Sequence, residues 1–215
     1  MRRFINSLFE AIIKRIQKAF ETIESFVRGI QSTVNRILSL AEKVFKWIVD
    51  RINEVLQKIY NAWDQIVQKL NEYMEAARAP ITLHACSVSW IDSVNIPMGY
   101  YESAVGEDSL ISEHYWGGEA GNAYRKSTND QSAAGAQITE LAEATSDTLE
   151  DCAMAGFVFY GAIAVAVAEI VGSITAAAIE TATVVGTVPA LLTLLGGFLG
   201  ALGAIGTAFA AFLAF

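Results

Sequence analysis

Acid–base and nucleophilic chemistry need a titratable pair or an activated hydroxyl or thiol, and this chain offers few starting points. Its only histidines are His84 and His114, and Ser87 and Ser89 have no evident acid–base partner in the sequence. No P-loop, H-E-x-x-H or G-x-S-x-G pattern occurs. Cys86 and Cys152 are spaced for neither a C-x-x-C redox motif nor a zinc site; one disulfide is open to them, but two ordinary buried thiols are the better reading. The acids Glu140, Glu143, Asp147, Glu150 and Asp151 gather without the turn glycine and loop of a calcium site, and their steps of three and four make them a solvated helix face. Glu169 and Glu180 stand eleven residues apart in an otherwise apolar stretch, about three helical turns, and so share one face. They line a lumen or titrate on insertion, or, the better reading, mark the solvent-facing edge of a helix that does not cross a membrane. The expectation is a protein with no catalytic residues, no metal and no cofactor.

The elements that carry these residues follow from composition and spacing. Of 215 residues, 53% are hydrophobic and 18% charged, against a usual charged share of about 25%. Too little polar surface remains to cover the chain, so some apolar surface is expected to meet lipid or another helical chain. The net charge of −8 is unevenly spread: residues 1–78 hold 13 Lys/Arg and 9 Asp/Glu, residues 79–215 only 2 and 14. That balance argues against nucleic acid, which needs a concentrated basic surface. Met1-Arg2-Arg3 resembles the positive start of a signal peptide, but Glu10, Lys14 and Arg15 interrupt any apolar core. No cleavable signal is expected, and export would need another route.

From Ile5 to Leu70 apolar residues recur in steps of three and four, among them Ile12, Ile16, Ile23, Val27, Ile30, Val34, Ile48, Ile52, Ile59, Trp63 and Ile66. This is the stripe of an amphipathic helix. A single rod of about 70 residues would be about 105 Å long, so a break near Gly29 or Asn35 is expected. Ala79-Pro80 reads as a helix end, and residues 81–106, mixed in Ser, Asn, Pro97, Gly99 and aromatics, read as a structured linker. A short helix is expected over Asp108–Tyr115. Ala142, Thr145, Leu149 and Ala153 then restore the helical period, with the acids outside. Beyond Asp151 only Glu169 and Glu180 are charged, and none follows Glu180.

Those last 35 residues exceed the roughly 20 that span a bilayer core. Pro189 is the expected start of one apolar helix reaching Phe215, and a second candidate runs from about Cys152 to Ala168. Gly196, Gly200, Ala204 and Ala208 recur every four residues, a small-residue ridge that lets two helices approach closely. The ridge suits lipid-embedded contact better than its alternative, a buried position in a multi-chain soluble bundle.

The sharpest local signal is Trp116-Gly117-Gly118-Glu119-Ala120-Gly121-Asn122-Ala123-Tyr124. Tandem glycines end a helix because glycine takes a positive φ without strain, and the small residues after them admit a second helix folding back. A tight helical bend with Trp116 packed between its arms is expected. The stretch resembles the WXG100 superfamily of type VII secretion substrates, whose helix–turn–helix carries W-x-G at the bend; the resemblance covers about residues 108–153. It implies a non-enzymatic secreted helical protein with a helical partner, here a homo-oligomer or a co-secreted chain. Members have a full first helix directly before the bend; here 81–106 intervenes, so the partner arm is expected from residues 44–78. The family's Y-x-x-x-[D/E] signal is absent after the second helix, Tyr124 being followed by Thr128 and Tyr160 by Ala164. Tyr60 and Asp64 match that spacing within the N-terminal region.

The sequence thus defines an all-α protein in four segments: an amphipathic helical region 1–79, a structured linker 80–107, a W-x-G hairpin region 108–153 and apolar helices 154–215. Three functions fit: a type VII substrate that self-assembles or binds membrane through its apolar end, a pore-forming protein whose amphipathic helices shield the apolar ones in water, and a constitutive membrane protein with two spans and its basic half inside.

Overall fold

In the computed structural model, residues 2–41, 46–106, 109, 115–180 and 184–214 are described. They form α1 (Arg2–Ala41), α2 (Lys46–Glu75), α3 (Ala79–Trp90), a π-helical turn (Ile91–Asn95), α4 (Ile96–Val105), α5 (Gly118–Glu180) and α6 (Val184–Leu213). No strand occurs among the described residues. The all-α expectation holds.

Three local expectations change. Gly29 and Asn35 do not break α1, which runs to Ala41. One glycine costs a helix about 1 kcal/mol, and here Ile23, Val27, Ile30 and Val34 are all buried, so the stripe holds the helix on both sides of it. Pro80 begins a helix instead of ending one, and residues 79–105 are helical throughout, with Pro97 directly after the π-helical turn, at the start of α4. Pro189 lies inside α6, not at its start. The expected helix over Asp108–Tyr115 falls largely outside the described residues.

The chain forms two compact units, Met1–Arg78 with Ala155–Phe215, and Ala79–Met154. The first is a four-helix bundle. α1 packs against α2 through Phe20 and Trp63, ring centroids 5.0 Å apart; α2 meets α6 through Trp63–Phe198 at 6.1 Å and Tyr73–Phe209 at 4.9 Å. α5 meets α1 through Phe9–Phe157 and Phe9–Tyr160, and α6 through Phe159–Phe209 and Phe159–Phe212. Residue numbers rise together along α1 and α5 but run opposite between α5 and α6, so the apolar pair is an antiparallel hairpin. The predicted stripe of α1 and α2 is its cover: Ile16, Ile23, Ile52, Ile59 and Ile66 are 2% exposed or less.

The second unit is a helical hairpin. Going from His84 to Tyr101, the partners on α5 run backward from Glu150 through Thr139 to Gln131. The arm opposite α5 is therefore α3–α4, not residues 44–78 as the sequence led one to expect. On the α5 side Gly121, Thr128, Gly135 and Ala142 are buried at steps of seven, and a Cβ on Gly135 would lie 3.5 Å from the Tyr101 ring. Small residues bring the arms close.

Candidate functional site

The apolar hairpin has two unlike sides. Toward α1 and α2 it buries Ile163, Val167, Ile170, Leu191, Leu194, Phe198 and Ile205, each 1% exposed or less. Away from them Val158 is 70% exposed, Val165 61%, Leu199 53% and Leu213 67%. On that outer side Glu169 is the only charged residue of α5 between Ala155 and Ala178, and α6 has none. Both helices contain an 18-residue window of mean hydropathy 2.0, and only 39% of the α5 window and 33% of the α6 window are buried. The core helix of a soluble protein would be mostly covered. These two are covered on one side only, and both are long enough to cross a bilayer.

The small-residue ridge sits on this uncovered side. Gly196, Gly200 and Ala204 are exposed and Ala208 partly so, and a Cβ on Gly196 or Gly200 would meet nothing within 4 Å. The contact of α6 with α5 uses the neighbouring register instead: a Cβ on Gly197 would fall on Ser173, 2.6 Å from its Cβ. Among the described residues Gly196, Gly200 and Ala204 thus face away from the rest of the bundle, while Ala208 is half-buried.

At the bend, Gly118 has φ +82° and Gly117 has no such requirement. Trp116 is 48% exposed and rests on Tyr124 of α5, centroids 5.4 Å apart; it is not packed between two arms. Arg125 donates to the Trp116 carbonyl at 3.4 Å. The same carbonyl occupies the space a Cβ on Gly121 would take. Gly121 is thus needed for this bend as much as Gly118 is, and the run of small residues after the tryptophan was the signal for it.

A polar cluster joins the arms of the second unit and was not foreseen. His84 Nδ1 lies 2.5 Å from Glu150 Oε2, and the Ser87 hydroxyl donates to the same oxygen at 3.2 Å. Ser146 donates to the Ser87 carbonyl at 3.0 Å, with the two hydroxyl oxygens 3.3 Å apart. His84, Ser87 and Ser146 are all buried. In this arrangement the Ser87 hydroxyl bonds the Glu150 carboxylate and not the His84 imidazole, so the Ser–His pairing of a nucleophilic triad is not the one formed here. The signal was present in spacing: His84 and Ser87 are three apart, Ser146 and Glu150 four apart, each pair on one helix face. Of the acidic face, Glu140, Glu143, Asp147 and Asp151 are exposed as expected, while Glu150 turns inward.

Cys86 and Cys152 are free thiols and exposed, contrary to the expectation of burial. Glu169 is exposed; His114 and the side chain of Glu180 lie outside the described residues. Asp64 is exposed, but the hydroxyl of Tyr60 is buried with no hydrogen-bond partner among the described residues, and burial pushes its pKa up. Among the described residues no group of three or more His, Cys, Asp and Glu is arranged to hold a metal.

The class defined by these features is a helical protein combining an amphipathically covered apolar hairpin with a second, polar-cemented hairpin. Searches against protein-family models, curated proteins and solved structures found no match.

Proposed function

We propose that this chain is a non-enzymatic, membrane-active helical protein whose α5–α6 hairpin docks on and enters a lipid bilayer. The observation that carries the reading is the outer side of that hairpin, exposed, of spanning length and bearing one charge, Glu169, among the residues whose side chains are described. In water α1 and α2 cover the inner side; at a bilayer the outer side gains an apolar solvent, and burial of apolar area stabilises contact by about 25 cal/mol per Å². Once embedded, Gly196, Gly200, Ala204 and Ala208 offer a surface on which the hairpins of several copies can pack, since small residues give close van der Waals contact where lipid removes the hydrophobic drive. Flotation with liposomes tests docking, and release of an entrapped dye tests insertion. Recovery of the protein free of vesicles, as a stable oligomer without detergent, would instead make the outer side an ordinary subunit interface.

For delivery, we infer a type VII route. Two helical arms joined near Trp116-Gly117-Gly118, with small residues between them, support the resemblance to WXG100 substrates, and the partner would be another helical chain. Appearance of the protein in the culture medium should depend on the type VII machinery and fall when Trp116 is replaced by alanine. Secretion that is indifferent to both would remove this part of the reading.

A further inference from the structure

Between α1 and α5 of the bundle runs a groove of about 570 Å³ lined on one side by Arg15 and Lys18 and floored by Gly161, Ala164, Val165 and Ala168. Its volume is in the range of small-molecule sites, about 300–1,000 Å³. Arg15 and Lys18 are exposed, and neither makes an ion pair among the described residues. No acid lines the groove. On α1, Glu21 borders the separate groove toward α2, Glu10 lies eleven residues before it on that same face, and Glu24 is held by Arg28. Cations therefore face α5 while the acids of α1 face elsewhere. Val165, 61% exposed, belongs both to the groove floor and to the uncovered apolar side.

We propose that this groove receives an anionic phospholipid of the bilayer, its phosphate between Arg15 and Lys18 and an acyl chain along Ala164, Val165 and Ala168. The inference rests on the membrane-docking reading and adds to it a headgroup preference and a fixed position on the bundle. Charge complementarity selects the ligand: two unpaired cations above an apolar floor match one anionic amphiphile, whereas an acyl chain without a charge would leave them unused. Continuity of the floor with the exposed side lets the lipid enter from the plane of the membrane.

The test compares binding of the whole chain to vesicles of phosphatidylcholine alone and of phosphatidylcholine mixed with phosphatidylglycerol. The native chain should prefer the mixed vesicles, and Arg15→Gln with Lys18→Gln should remove that preference, roughly fivefold for each cation and roughly 25-fold for both. Arg15→Lys should keep most of it. The control is Arg36→Gln with Lys46→Gln, the same charge change at exposed positions outside the groove, which should retain the preference. Equal losses in the two double variants would reduce the effect to general surface charge and overturn the site, as would no loss in either. Binding to both vesicle types without preference overturns the lipid site but leaves membrane docking standing; binding to neither overturns both. Since all four positions are exposed, unchanged helical circular dichroism will show that each variant is folded.

Discussion

Gly118 is the one described residue with a positive φ, and this sets what the bend tolerates. A left-handed conformation costs a residue with a Cβ roughly 1–2 kcal/mol, more when branched. Gly118→Val should lower the melting midpoint by several degrees, whereas Gly117→Ala, with open space around its Cβ, should leave it unchanged; thermal melts of the two variants check this. Two tyrosines make an opposing pair. The Tyr160 hydroxyl donates to the Tyr73 carbonyl at 2.6 Å in the last turn of α2, a carbonyl that also accepts the Ala76 N–H at 3.2 Å. The Tyr60 hydroxyl is buried with no such acceptor among the described residues. In denaturant unfolding Tyr160→Phe should cost about 1 kcal/mol, while Tyr60→Phe should be neutral or stabilising, because it removes a desolvated group that bonds nothing.

At the scale of helices, Gly29 sits in the exposed interior of α1 with nothing within 4 Å of a would-be Cβ. Gly29→Ala should raise stability by about 0.5–1 kcal/mol, measured by urea midpoint, through reduced freedom of the unfolded chain. On α6 two glycines three apart should respond oppositely. Gly197→Leu drives a side chain into Ser173 and should destabilise the bundle by about 1–3 kcal/mol. Gly200→Leu should leave the soluble chain as stable as before but weaken its assembly in detergent or lipid, read by light scattering. Long, strongly periodic elements were legible in the sequence: the stripe from Phe9 to Leu70 specified α1 and α2, and the loss of charge after Asp151 specified an apolar pair. What was not legible is what each helix packs against. α3 escaped notice because its buried face is Pro80, His84 and Ser87, so a search for apolar period finds nothing. Gly196, Gly200, Ala204 and Ala208 share one face of α6 by spacing, but whether that face or its neighbour at Gly197 meets α5 depends on a rotation of α6 that spacing alone does not fix.

For the whole molecule, the uneven charge of the sequence resolves into the two units. The bundle sequence, residues 1–78 and 155–215, holds 13 Lys/Arg and 11 Asp/Glu, while residues 79–154 hold 2 and 12. An anionic surface therefore attracts the first and repels the second, and both forces fade with added salt over a Debye length of about 10 Å at 0.1 M. The bundle's charged helices on one side and bare hairpin on the other also make it a surfactant. The bare hairpin by itself does not distinguish a bilayer from any other boundary between water and an apolar phase. The molecule should collect at air and oil surfaces, lowering the surface tension of its buffer in a pendant-drop measurement at concentrations where a protein charged all round does not, and a stirred or foaming solution should lose it to the froth.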